Sequence, residues 1–159
     1  MNRKVLAATC LFAALVLGSP LSAAPLATKK SIRIDSTTRG GEHCTGKFFL
    51  QLGKDGDGGK VECRMFNEKE KKTPDGLEYL AYEQETTFTG KAGTLAFHVV
   101  ARAYDLGFGT HVNESGTWSA VSGTGTYDGT KGRGRWVGVH DQSRNTEQIR
   151  YAGSVTLPS

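Results

Sequence analysis

Residues 116–139 read GTWSAVSGTGTYDGTKGRGRWVGV, with seven glycines set among runs that carry Trp118, Val121, Trp136, Val137 and Val139. Aromatic and β-branched residues suit a pleated surface, and the glycines and Asp128 suit reversals, so the stretch reads as strand, tight turn, strand. Elsewhere in the chain no helical period persists. Alternation at period two recurs instead, interrupted by clusters such as KDGDGG at 54–59, NEKEKKTPDG at 67–76 and DQSRNT at 141–146. Strands are expected at 31–37, 47–52, 60–66, 77–90, 93–104, 111–121, 134–140 and 147–157. Eight closely spaced strands fit a barrel or a sandwich. Closure is the economical solution, because it removes edges that would otherwise pair with other chains. The fold expected is an all-β, eight-stranded antiparallel barrel.

The first 23 residues have the build of a secretory signal peptide. Arg3 and Lys4 precede an apolar run over 5–17, and Leu21-Ser22-Ala23 offers a small-residue cleavage site. The run is shorter than the roughly 20 residues a spanning helix needs. Residues 24–159 then form one domain, expected to be soluble and secreted or periplasmic. Removing Arg3 and Lys4 lowers the formal charge from +4 to +2. This near balance argues against a nucleic-acid partner, which calls for a clustered basic surface.

Cys44 and Cys63 remain after cleavage, an even pair that an oxidising compartment favours as one disulfide. A hairpin turning at 54–59 would set Cys63 opposite Phe49, five residues past Cys44. On that register the bridge requires the chain before Lys47 to fold back.

Between 94 and 104, Leu95, Phe97, Val99, Ala101 and Ala103 share one face, with His98, Arg102 and Tyr104 on the other. Near the end of the chain Ile149, Tyr151, Val155 and Leu157 align in the same way. If the barrel holds a cavity, Tyr79, Phe97, Val99, Trp136 and Tyr151 are the candidates to line it, with Tyr82, His98, Arg102, Tyr104 and Arg150 on the opposite face. The pattern leaves open which face points inward. It also leaves open whether the interior is a ligand cavity or is filled with side chains, as in many small barrels.

Residues 123–132, GTGTYDGTKG, resemble the turn signature G-[ST]-G-x-[FY]-[DE]-G-x-x-G of the allene oxide cyclase and dirigent-like barrel superfamily, which includes small bacterial secreted proteins. Trp118, Gly134-Arg135-Trp136 and Tyr151-Ala152-Gly153-Ser154-Val155 extend the likeness over the last 70 or so residues. The resemblance implies an eight-stranded antiparallel barrel, trimeric in many plant relatives, with a few polar groups in an apolar interior. On the physics alone, Gly123 and Gly125 permit a bend and Tyr127 can cover the barrel end.

No other motif carries chemistry as well. Asp55 and Asp57 start like a calcium loop, but Phe66 stands where the closing glutamate belongs. His43, His98, His111 and His140 are scattered singly, without metal-ligand spacing, and two cysteines do not complete a zinc site. Ser115 and Ser122 lack the nucleophile-elbow context. Glu78, Glu83 and Glu85 fit a solvated strand face, and Asn113-Glu114-Ser115 is a glycosylation acceptor only in a eukaryotic secretory route. No catalytic residue, metal or cofactor is expected. The function expected is a secreted binding barrel for an apolar or aromatic small molecule or a protein partner. The alternatives are an isomerase or cyclase like the allene oxide cyclases, and a structural protein acting through an oligomeric surface.

Overall fold

A computed structural model describes residues 27–105 and 109–158. The proposed leader, its cleavage site and Cys10 lie outside these residues. Eight strands follow one another around a closed antiparallel barrel: β1 (Thr28–Gly40), β2 (His43–Leu52), β3 (Asp55–Lys72), β4 (Glu78–Gly90), β5 (Thr94–Asp105), β6 (His111–Gly123), β7 (Lys131–Asp141) and β8 (Thr146–Leu157). Each pairs with its sequence neighbours and β8 closes on β1, so no edge is left open. No helix among the described residues is long and apolar enough to cross a membrane.

The alternation read from the sequence becomes an inside and an outside. Ile32, Ile34, Ser36 and Thr38 of β1 point inward between outward Arg33, Asp35 and Thr37. The lower interior is packed with rings. Phe97 stacks on Trp118 with centroids 4.2 Å apart, and Phe88 meets Phe48, Phe97 and Tyr151 edge-on at 5.2–5.3 Å. Trp118 lies flat over the paired Gly134 and Gly153, where a Cβ on either would fall 2.6 Å from the indole. Its Nε1 donates to the carbonyls of Arg135 and Ala152, at 3.0 and 3.3 Å. Each buried ring or aliphatic chain contributes about 1.5–3 kcal/mol over leaving it in water.

The two ends differ. At the base, one turn of 3-10 helix (Gly125–Tyr127) folds across the opening and buries Tyr127. The Tyr127 hydroxyl donates to Asp57 at 3.1 Å. Asp57 also accepts from the backbone N–H of Gly58, Lys91 and Ala92, at 2.8–3.2 Å. Burial pushes the Asp57 carboxyl up, but these four donors outweigh it and hold the group below its ordinary value. Asp57 therefore pins the β2–β3 side of the base to the β4–β5 turn and to the cap.

Three expectations need correction here. The 54–59 cluster is not the turn, because β2 and β3 pair from Leu52 and Asp55 onward around Gly53-Lys54, with Gly53 at φ +63°. That tighter hairpin places Cys44 directly opposite Cys63, and they form a disulfide with Cα atoms 5.0 Å apart, so no fold-back is required. The 67–76 cluster is mostly strand as well: after a bulge between Phe66 and Lys69, β3 runs on to Lys72 against Glu78. A bulge adds a residue and bends the strand, which hides the period-two pattern.

Candidate acid pair at the barrel mouth

Because odd-numbered strands run from base to mouth, β3 and β4 extend the wall at the mouth. The inward positions there are Glu70 and Lys72 of β3, Leu80 of β4, Ala103 of β5 and Val112 of β6, lining a depression of about 850 Å³. Beneath this wall the interior turns polar. Tyr82 (β4), Glu114 (β6) and Glu147 (β8) converge, and the buried Tyr82 hydroxyl donates a short hydrogen bond to Glu114 Oε2. Thr38 of β1 donates to Glu147 Oε2 at 3.3 Å.

The two glutamates start from strands on either side of β7 and meet over Gly138. A Cβ at Gly138 would sit 2.9 Å from Glu147 Oε1 and 2.8 Å from the Trp136 ring. Only a residue with no side chain leaves that space. Glu147 Oε1 is buried and reached by no N–H or hydroxyl donor, so the hydrogen bond that joins Glu147 to Glu114 is carried by a proton on a carboxyl. Burial raises both carboxyls above their ordinary values. Repulsion from Glu114 adds to the effect at Glu147, which is pushed up to about 8, while Tyr82 and the nearby His140 hold Glu114 partly down. The two carboxyls titrate as a pair, and their raised values favour a proton held between them. Burial and the neighbouring carboxylate push the Tyr82 hydroxyl far above its usual range, so it stays a donor.

Just below the pair, Trp136 is 2 % and Ser36 6 % exposed, and their Nε1 and Oγ atoms are without hydrogen-bond partners. The indole nitrogen lies over Gly116, the next inward position on β6 after Glu114.

Of the residues singled out from the sequence, Phe97, Val99, Trp136 and Tyr151 do face inward. They sit in the packed core at 0–2 % exposure, where they fill space. Tyr79 lies on the outward face beside Tyr104, their rings 5.4 Å apart, and lines the rim of the mouth depression, while Tyr82 points in. His98 lies outside, 2.8 Å from Glu83. Glu83 also accepts from Asn67, which explains it as a surface group. Asp55 and Asp57 form no metal loop, since Asp57 is committed to the base. Among the described residues no cluster of three His, Cys, Asp or Glu is arranged to hold a metal.

The sequence reading passed over Glu114 and Glu147, yet a signal was there. Glu114 shares the inward face of Gly116 and Trp118, and Glu147 that of Ile149 and Tyr151. A carboxylate on the apolar face of a strand is costly, and that cost marks the position. Compared with known proteins, the chain matches no family model, no curated protein and no solved structure.

Proposed function

We propose that this is an exported binding barrel for a small molecule with an apolar body, seated in the mouth with its polar group against Tyr82, Glu114 and Glu147. The observation that carries the reading is the mouth itself. Its half-buried wall at Leu80, Ala103 and Val112 stands one inward position above Tyr82, Ala101 and Glu114, so the hydrogen-bonded carboxyl pair lies under the depression. Apolar walls with a few convergent polar groups are the usual composition of such sites. The pair selects a ligand with a hydroxyl, carbonyl or amine group and disfavours a carboxylate, which would add a charge beside Glu114. The disulfide fits an oxidising compartment outside the cytosol.

A second reading, an isomerase or cyclase of the allene oxide cyclase type, is favoured by the same cluster. A tyrosine and a carboxyl pair that share protons are the parts acid–base chemistry uses.

The test is fluorescence titration with the apolar probe phenylnaphthylamine. The protein is expected to bind it with blue-shifted emission, Ala103→Arg in the mouth wall to abolish binding, and Val100→Arg on the outer surface to leave it intact. Equal binding by both variants would overturn the assignment. Carbonyl-substrate turnover lost in Glu147→Gln would move the weight to the enzyme.

A further inference from the structure

The net charge of the chain conceals a separation that the fold creates. The mouth-side inner wall carries Glu70, Glu78, Glu114 and Glu147 against Lys72, which pairs with Glu78, while the outer face of β3–β7 at the mouth end is basic. On that face a groove of about 760 Å³ crosses the five strands. The register places Lys71, Tyr79 and Tyr104 in one row, Lys69 and Arg102 in the next, and Arg135 one row below on β7. Arg133 continues the strip at the edge of an adjoining hollow. Lys71, Arg102, Arg133 and Arg135 form no ion pair among the described residues. Glu83 is the single carboxylate among the described groove residues, and Asn67 and His98 already hold it.

The spacing is that of a track rather than a pocket. Lys69 and Arg102 stand two strands apart, as do Arg102 and Arg135, and each two-strand step is about 10 Å. An extended polymer with charges at intervals can engage several of these cations at once, whereas a small anion would reach only one.

The aromatic pair narrows the class. Arg102 lies over the Tyr79 ring, 5.2 Å from its centroid, and Tyr104 packs against Tyr79 at 5.4 Å. The Tyr79 ring is therefore covered by its neighbours, which leaves less open ring for the stacking that single-stranded nucleic acid uses. What remains is phenolic hydroxyls and ring edges beside Ser115 and Thr117, a set of hydrogen-bonding groups that suits a hydroxyl-rich chain.

We infer that the outer face of β3–β7 is a docking surface for an acidic polysaccharide, its carboxylates on Arg102, Arg135 and Lys71 and its hydroxyls on Tyr79, Tyr104 and the adjoining serine and threonine. The groove adjoins the mouth at Lys71 and Tyr79, which line both, whereas Arg102 and Arg135 line the groove and not the mouth, so their removal tests this docking apart from the small molecule proposed there.

Affinity electrophoresis and titration calorimetry of the full chain test it, with polygalacturonate as the probe and neutral dextran and single-stranded oligothymidylate as comparisons. Binding to polygalacturonate alone is expected, weakening steeply between low and moderate salt, because exposed charges are screened within about 8–10 Å. The Arg102→Ala/Arg135→Ala variant is expected to lose at least tenfold in affinity. Arg144→Ala, in the β7–β8 turn, is expected to lose none. All of these cations are exposed, and unchanged thermal melting of each variant confirms that folding is intact. No binding to polygalacturonate, equal retardation by dextran, tighter binding of the oligonucleotide, or full affinity in the double variant would each overturn the inference.

Discussion

Replacing Glu147 by glutamine is expected to make the protein more stable, and increasingly so as pH rises. The amide keeps the shape, can accept from Thr38 and can donate to Glu114, but it cannot ionise. In the parent chain the Glu147 carboxyl is held up to about 8 by burial and by Glu114, against 4.5 when solvated. Below pH 4.5 folded and unfolded chains are both protonated, and the site makes no difference. Between 4.5 and 8 the unfolded chain has released its proton while the folded one retains it. Unfolding therefore becomes easier by up to about 1.4 kcal/mol per pH unit, and the loss levels off above 8. The full interval corresponds to on the order of 5 kcal/mol, reduced by whatever water reaches the mouth. Groups facing the pair from neighbouring strands are Tyr82, His140 and Thr38. Tyr82 does not titrate in this range, and the glutamine variant retains the others. Urea unfolding followed by tryptophan fluorescence at pH 5, 7 and 9 measures the difference between variant and parent. A gain of a few kcal/mol at pH 9 that shrinks toward zero at pH 5 is expected. A difference independent of pH, or a variant less stable at pH 9, would refute the buried, proton-holding pair.

Removing the disulfide as Cys44→Ala/Cys63→Ala frees a loop with sequence separation 19 and is expected to cost about 3 kcal/mol, read as a urea midpoint below the oxidised parent's that reductant does not lower further. Gly138→Val places methyl groups where the Trp136 ring and Glu147 Oε1 lie, and should destabilise by roughly 1–3 kcal/mol while quenching less at Trp136, visible in emission spectra. Asp57→Asn keeps the size but weakens four hydrogen bonds at the base, for a loss of roughly 2 kcal/mol near neutral pH. Because the Asp57 carboxyl lies below its ordinary value, its contribution is present above about pH 4 and is lost as pH falls through its folded value. The parent should therefore lose its advantage over Asp57→Asn in acid melts.

Much of the barrel was legible because strand residues obey a local rule. Leu95, Phe97, Val99 and Ala101 alternate with polar neighbours, and each such run announces one buried face. Glycine-rich clusters proved less transparent. Glycine signals permission for a turn, and in Asp55–Gly59 that permission is used inside a strand instead, so the expected hairpin register is displaced, while the Cys44–Cys63 disulfide expected from the even cysteine count forms. Tyr127 as the cover of the barrel end could be anticipated, whereas its partner Asp57 could not, since the two lie 70 residues apart. The acid pair is a non-local object of the same kind. Glu114 and Glu147 meet only because closure brings β6, β7 and β8 side by side and Gly138 stands between them.

The two ends of the barrel are built on opposing energetic terms, and that contrast bears on function. At the base the polar groups around Asp57 lower the energy of the fold: Asp57 accepts four donors, Tyr127 is buried with its hydroxyl bonded, and the rings above are close-packed, although the nearby Thr130 hydroxyl is buried and unbonded. At the mouth the choices run the other way. Two carboxyls share a buried space where they repel each other unless a proton joins them, and the indole of Trp136 and hydroxyl of Ser36 beneath them are unbonded. Apolar residues of similar volume at 114 and 147 would remove this penalty and leave the closed hydrogen-bond ladder intact. A barrel selected for stability alone has no use for such a pair. Strongly shifted groups in a recess concentrate where ligands or chemistry are handled. The carboxyl pair at Glu114 and Glu147 is thus the feature on which the proposed binding reading rests. A Glu114→Gln/Glu147→Gln protein that gains stability yet no longer takes up the apolar probe would show both sides of that exchange in one molecule.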